Sequence, residues 1–233
     1  ALISGFSVGR EGPSVHMGAT GASVLSELLH LPWNAARTLS GCGVAAGIAA
    51  SFNTPLAAVI FVMEVVLREY KVHIFVPIML AAVTGALATQ FVFGHDTELA
   101  LISVTPLSFW HYPYLVICGV ILGAVAFAFN QNLMMIIRTF KPLSMFPRLM
   151  LAGLIAGLIG NLVPQAMGSG MSAITLAVTS PENIQLLTTI LIAKLLATLF
   201  AIGLGIPGGL IGPVIGLGVV MGTLMSYFGQ FIS

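Results

Sequence analysis

The chain has 233 residues, of which 58% are hydrophobic and only 6% are charged, with a mean hydropathy of +1.07. A soluble domain carries about 25% charged residues, so this composition excludes a soluble globular fold. The formal net charge of +1 provides no basic surface, and we expect no nucleic-acid partner. The two cysteines, Cys42 and Cys118, lie in apolar segments and are interpreted as small buried hydrophobic side chains.

Three long stretches contain no Asp, Glu, Lys or Arg: residues 99–137, 149–181 and 195–233. Each exceeds the roughly 20 apolar residues that an α-helix needs to cross a bilayer. The sequence therefore predicts a multi-pass integral membrane protein, in contact with lipid, in the cell (plasma or inner) membrane.

Helix is the expected state of each apolar segment, because lipid offers the backbone no hydrogen bonds. Pro and Gly divide the chain into eight predicted helical segments: 11–29, 39–67, 74–93, 114–137, 149–163, 171–178, 186–202 and 210–228. Segment 171–178 is too short to span alone, and 149–163 is marginal. Short, interrupted helices are typical of a transporter or channel core.

The charged loops alternate in sign along the first part of the chain. Basic residues follow the second and fourth segments at Arg68 and Arg138, and acidic residues follow the third at Asp96. The positive-inside rule predicts that the Arg68 and Arg138 loops are cytoplasmic and that the Asp96 loop is outside.

The pattern G-x-x-G-P occurs twice, at residues 9–13 and 209–213, and small residues follow each copy. Two like elements in separate parts of the chain indicate duplicated halves. Chance recurrence in a chain with 26 glycines is the alternative.

Each copy of this pattern has the chemistry of an anion-binding helix start. Glycine allows close backbone approach, and proline fits the first turn of a helix, where no N–H is needed. The first turn has unpaired N–H groups and the positive end of the helix dipole. If the starts at residues 10–13 and 210–213 face one another, they can hold a dehydrated anion. The alternative is two ordinary helix starts packed in a bundle.

Glu11 lies at the first of these starts. A carboxylate inside an apolar membrane segment is costly and indicates function by default. At a helix tip it competes with an anion for the same N–H donors, and protonation removes that competition. Glu11 is therefore a candidate gate and proton carrier. The neighbouring Arg10 is either a partner charge or a side chain at the interface whose amide does the binding.

The stretch Gly9-Arg10-Glu11-Gly12-Pro13 resembles the G-R/K-E-G-P signature of the CLC family of chloride channels and chloride/proton antiporters. Three more stretches resemble family motifs in the same order: GVAAGIAASFNTPLAAVIFVME at 43–64, PQAMGSGMSAI at 164–174, and 194–222, which contains GIPGGLIGP. The resemblance implies an all-α, polytopic fold with an inverted repeat and half-spanning helices. It also implies a single transmembrane domain over 1–233, with most of the first half in 1–137 and part of the second in 138–233.

The same resemblance implies a homodimer that transports chloride or a similar anion under voltage or pH gating, without a metal or other cofactor. Glu11 would be the gating residue. The implied anion ligands are backbone amides, at Arg10, Gly12, Leu210, Ile211 and Gly212. Amides accept chloride, nitrate or fluoride on similar terms, so the anion is not identified.

Several family features differ or are missing. The first motif, G-S-G-I-P, and the anion-binding tyrosine would lie beyond the two ends, so we expect a partial chain without the family's first and last helices. Ile211 stands where the family usually has Phe, and Gly212 where it often has Ala. These changes alter the shape of the pathway more than its chemistry if amides bind the anion.

Glu64 and Val65 occupy the place where proton-coupled members commonly have two adjacent carboxylates, the second of which accepts the proton. Val65 cannot carry a proton, so the sequence favours passive, channel-like conduction. The alternative is an antiporter with another internal proton route, for which Glu64 is a candidate through water. Otherwise Glu64 is a helix-end carboxylate interacting with Arg68 at i+4.

Two further classes remain as distant alternatives. Residues 5–9 fit G-x-S-x-G, the nucleophile elbow of hydrolases, with Ser7 as the nucleophile, but that motif needs a strand–turn–helix context. A non-transporting subunit is the other alternative. We expect no catalytic residue and no enzyme activity, and the histidines show no metal-binding spacing. Lys194 is alone in an apolar segment and has no obvious partner in the sequence.

Overall fold

The computed structural model describes residues 1, 3–94 and 111–229. In these residues the regular elements are helical, namely α1 (Glu11–Leu28), α2 (Trp33–Phe52), α3 (Pro55–Phe61), α4 (Val72–Phe93), α5 (His111–Phe140), α6 (Met145–Leu162), α7 (Met171–Thr179), α8 (Ile184–Gly203) and α9 (Ile211–Gly229). A π-helical turn, Val62–Leu67, extends α3, and a 3-10 turn, Pro164–Ala166, precedes α7. The all-α prediction is confirmed. The acidic loop at Asp96 lies outside the described residues.

Five of the described helices are long and apolar enough to cross a membrane: α4, α5, α6, α8 and α9. The predicted multi-pass membrane architecture is confirmed. Helix α7 has only 9 residues, as the sequence indicates. The marginal assessment of 149–163 was wrong, because α6 begins at Met145, directly after Ser144, and reaches 18 residues.

The predicted single segment 39–67 is two helices. The first begins earlier, at Trp33, and ends at Phe52 because Asn53 adopts the left-handed conformation, with φ 54° and ψ 36°. The second begins with Pro55 in its first turn. Proline disfavours helical geometry in the residue before it, here Thr54, so the chain leaves one helix and starts another.

The chain forms two compact units. The N-terminal unit comprises the described residues of Arg10–Ile102, and the C-terminal unit those of Ala1–Gly9 and Ser103–Ser233. The division of the repeat after residue 137 stays a prediction.

Small residues allow close packing in the N-terminal unit. A Cβ added to Gly47 of α2 would lie 2.6 Å from the carbonyl oxygen of Ser14 in α1, and a Cβ on Gly18 would contact the backbone of Gly43. Such close backbone approach is the usual way that membrane helices gain packing energy. The core that α2, α3 and α4 share includes Val44, Ala45, Val59, Val62 and Ile78.

Helix α8 is the most buried membrane-spanning helix of the C-terminal unit, with half of its apolar window inside the protein. It packs against α5, α6, α7 and α9. The first residues of the chain join this unit, because Val8 is fully buried in a cluster with Ala152, Ala201, Leu204 and Ile206. A second cluster contains Ala173, Ala177, Leu187, Ile190 and Val220.

Candidate functional site

The first glycines of the two G-x-x-G-P motifs pair with each other. The Gly9 N–H donates to the Gly209 carbonyl at 2.7 Å, and the Gly209 N–H donates to the Gly9 carbonyl at 3.0 Å. This reciprocal pair is one rung of an antiparallel ladder. The segments that lead into α1 and α9 are therefore joined side by side, two residues before each helix begins.

Helix α1 begins with Glu11, whose side chain is only 4% exposed. Arg10 is the N-cap residue, and its side chain makes no capping hydrogen bond. Gly12 is the second residue of the helix. The buried carboxylate is thus at the positive end of the helix dipole, where negative charge is stabilised.

The Arg10 side chain is directed to α2. Its Nη2 donates to the carbonyl oxygen of Ser51 at 2.8 Å, in the last turn of that helix, where cations are favoured. The Ser51 hydroxyl donates to the Ser14 hydroxyl at 2.9 Å, which donates to the Arg10 carbonyl at 3.1 Å. This network fixes the backbone at Arg10, and the choice between its amide and its charge stays a prediction.

Helix α9 begins with Ile211, and Leu210 and Gly212 flank that residue. The N–H of Val214 donates to the Leu210 carbonyl at 3.0 Å, which closes the first turn. Pro213 is buried, as a first-turn proline without an N–H permits. The structure therefore gathers the predicted ligands Leu210, Ile211 and Gly212 at one helix start of the C-terminal unit, and Arg10 and Gly12 at one helix start of the N-terminal unit.

Glu64 lies exposed in the π-helical turn, next to Val65, which is 52% exposed. An interaction with Arg68 is absent from the described ion pairs. Arg68 ends the turn in the left-handed conformation. Glu69 is the paired carboxylate here, 2.8 Å from Arg37 and 3.1 Å from Lys71.

The hydrogen bond from Arg37, followed by the hydrogen bond and charge of Lys71, lowers the pKa of Glu69 below its ordinary value.

Lys194 of α8 is a functional candidate that sequence reasoning left without a partner. Its side chain is fully buried, and its ammonium group lies 3.1 Å from the Ala166 carbonyl, 3.2 Å from the Gly168 carbonyl and 3.3 Å from the Ser7 hydroxyl. The sequence feature that could have identified this candidate is a single lysine in a long apolar helix.

Ser7 is an internal hydrogen-bonding group. It is 1% exposed, and its hydroxyl lies 2.9 Å from that of Thr198. The strand–turn–helix context of a nucleophile elbow is absent from the described residues, where Ser7 belongs to a loop before a helix.

These features define a polytopic, all-helical membrane protein with a buried carboxylate at a helix start and a second glycine-rich helix start. That is the class of membrane transport proteins with interrupted helices. The model of the family described as "Voltage gated chloride channel" matches residues 1–233. The chain belongs to this family, the CLC family, whose members transport anions.

A curated relative and two solved structures resemble the chain. It is 35% identical over 139 residues to the H(+)/Cl(-) exchange transporter ClcA of Cronobacter sakazakii (strain ATCC BAA-894), which covers 56% of this chain and 28% of that relative. A slow cyanobacterial Cl-/H+ antiporter superimposes with a TM-score of 0.89 at 21% identity, covering 99% of this chain and 56% of that one. A CLC-type fluoride/proton antiporter gives a TM-score of 0.77 at 30% identity, covering 97% and 57%. The chain thus spans little more than half of these solved structures, and these similarities confirm the predicted CLC fold.

Proposed function

We propose that the protein containing this chain moves chloride or a similar anion across the cell membrane, with Glu11 as the gate. The proposed anion ligands are backbone amides, those of Arg10, Gly12, Leu210, Ile211 and Gly212. Membership of an anion-transporting family supports the class of activity. The observation that carries the gating role is Glu11, a carboxylate 4% exposed at the first position of α1.

The physical basis of the gate is competition for the same donors. First-turn amides and the helix dipole attract any nearby negative charge, whether it is an anion or the Glu11 carboxylate. Protonation of Glu11 removes its charge and leaves the donors to the anion. Partial charges bind an anion weakly enough to release it, which rapid transport requires. Gating by pH follows directly from this competition.

Proton-coupled exchange is the mechanism that the relatives support. ClcA is named as an H(+)/Cl(-) exchange transporter, and both solved structures are described as proton antiporters. Val65 cannot accept a proton, so the internal route in this protein would use another group. Glu64, one residue earlier and exposed, is the proposed candidate.

Passive, channel-like conduction is the second candidate. The observation that favours it is Val65 itself, an apolar side chain at the position where the family's coupled members commonly carry the internal proton acceptor. Both candidates share Glu11 as the gate and differ in whether protons move with the anion. As the family implies, the transporting unit would be a homodimer within the lipid bilayer, without enzymatic activity, cofactor or nucleic acid.

Flux measurements on the full-length protein in liposomes test this function. Chloride efflux above that of protein-free liposomes supports anion transport, and its absence under both acidic and neutral conditions contradicts it. An outward chloride gradient then separates the two mechanisms. Uphill proton movement that stops when chloride is replaced by an impermeant anion supports exchange, and chloride flux without proton movement supports passive conduction.

A further inference from the structure

Lys194 carries a positive charge that its own unit does not neutralise. The ammonium group has three N–H donors, and three oxygen atoms surround it, from Ala166, Gly168 and Ser7. All three are neutral, and the two carbonyl oxygens can only accept, which matches the charged form. Among the described residues Lys194 forms no ion pair.

The nearest acidic residue along the chain is too distant to compensate this charge. Glu182 is the one acidic residue within 1–9 and 103–233 of the sequence. It is exposed and precedes α8, whereas Lys194 lies ten residues into that helix. At 1.5 Å per residue, the helix alone places Lys194 about 15 Å along its axis from the end at which Glu182 lies. A fully buried ammonium group without a counter-charge is strongly disfavoured, so this charge requires an explanation.

The Lys194 side chain lies close to the start of α9. A Cβ added to Gly170, the N-cap residue of α7, would lie 3.2 Å from Lys194 Cε and 3.0 Å from the Gly212 carbonyl oxygen. A Cβ added to Gly216 would lie 3.4 Å from Lys194 Cε. Glycine at both positions leaves room for the lysine stem directly beneath the first turns of α9. The buried charge is thus next to the helix start that contributes the amides of Ile211 and Gly212.

We propose that the transported anion is the counter-charge of Lys194. The amides contact the anion, and Lys194 acts through space as a positioning residue that raises the local positive potential without binding the anion itself. In a low-dielectric interior such a fixed charge acts well beyond contact distance. This inference rests on the proposed function of the α9 start.

Chloride binding to the full-length protein, purified in detergent and titrated calorimetrically in gluconate buffer, tests the inference. Lys194→Met keeps the length of the side chain and removes its charge. We expect the dissociation constant to rise about tenfold or more, as for removal of a unit charge roughly 10 Å away at an effective dielectric constant of about 20. Lys194→Arg keeps the charge and should stay within about threefold of wild type.

Thr198→Val is the matched neutral control, because it removes the hydrogen-bond partner of Ser7 without changing charge. It should also leave chloride affinity nearly unchanged.

Thermal stability is a second readout, which separates the electrostatic role of Lys194 from its packing. Without chloride, Lys194→Met should be at least as stable to heat as wild type, and added chloride should stabilise it less. If Lys194→Met does not fold, Lys194→Gln replaces it as the neutral variant. We expect Lys194→Gln to show the same rise in the chloride dissociation constant.

Chloride affinity within twofold of wild type in either folded neutral variant overturns the inference while leaving the proposed function intact. Failure of both neutral variants to fold in chloride-free and chloride-containing buffer also overturns it, since a structural role would then account for the lysine. Absence of chloride binding by the wild-type protein contradicts the proposed function and this inference together.

Discussion

Gly9 and Gly209 exchange both of their backbone hydrogen bonds, at 2.7 and 3.0 Å, although they are 200 positions apart in the sequence. Each is the first glycine of a G-x-x-G-P motif, and each precedes a helix start that contributes proposed anion ligands. The pairing ties the first residues of the chain to the C-terminal unit, in which Val8 is fully buried.

The packing beside this pair predicts a destabilising substitution. A Cβ on Gly208 would lie 2.8 Å from Val8 Cγ2, and Val8 is buried and stiff because it is branched at Cβ. We expect Gly208→Ala to lower the free energy of unfolding by about 1–3 kcal/mol, as overpacking usually does. Thermal unfolding of the purified full-length protein measures the effect.

Gly218→Ala is the matched control, because a Cβ there meets nothing within 4 Å. It should leave the melting temperature unchanged or raise it slightly, since alanine favours helix. Equal melting temperatures for Gly208→Ala and wild type would show that this contact is not tight.

Glu11→Gln tests the gate. Glutamine has nearly the same shape but no charge at any pH, so the competition with the anion is permanently removed. We expect chloride flux to persist and lose its dependence on pH, and any coupled proton flux to fall to background. Glu27→Gln, an exposed carboxylate in the last turn of α1, should retain wild-type behaviour. Unchanged flux with unchanged pH dependence in Glu11→Gln would refute the gating role.

Glu64→Gln tests the internal proton route. If exchange uses Glu64, the substitution should reduce the protons moved per chloride while chloride flux continues. The reversal potential in opposing chloride and pH gradients reports this ratio, and Glu27→Gln again serves as the control. A ratio equal to that of wild type would eliminate Glu64 as the route, and a wild type without any proton flux would favour the passive mechanism.

Glu69 should give the protein a small, salt-sensitive dependence of stability on pH. Because Arg37 and Lys71 lower its pKa, its contribution is fully present above the ordinary glutamate pKa and is lost as the pH falls through the lowered value. Wild type should therefore melt slightly above Glu69→Gln at neutral pH and low salt. The difference should vanish in acid, and it should shrink in high salt because the pair is exposed. A difference that persists in acid would point to packing instead.

The location of the helices was largely predictable, because apolar segments in lipid must satisfy their own backbone. The starts of α1 and α9 follow from local chemistry, glycine before the helix and proline in its first turn. The division of 39–67 could also have been read from Asn53-Thr54-Pro55. The hydropathy pattern alone does not reveal this break, because the polar pair Asn53-Thr54 is short and long apolar stretches lie on both sides of it.

Within the candidate site, the sequence identified the residues and the tertiary structure determined their partners. Glu11 was recognisable alone, since one carboxylate in an apolar segment is conspicuous. No local pattern indicated that the Arg10 guanidinium binds the Ser51 carbonyl, or that Lys194 lies beneath the first turns of α9.

The sequence by itself determined the membrane environment, the family and the two helix starts, because composition, hydropathy and short motifs express the constraints of lipid and of local backbone geometry. Only the tertiary structure decided that Gly9 pairs with Gly209 and that Lys194 is buried among neutral oxygens. These contacts join residues far apart in the chain, and they depend on how helices pack rather than on any local preference.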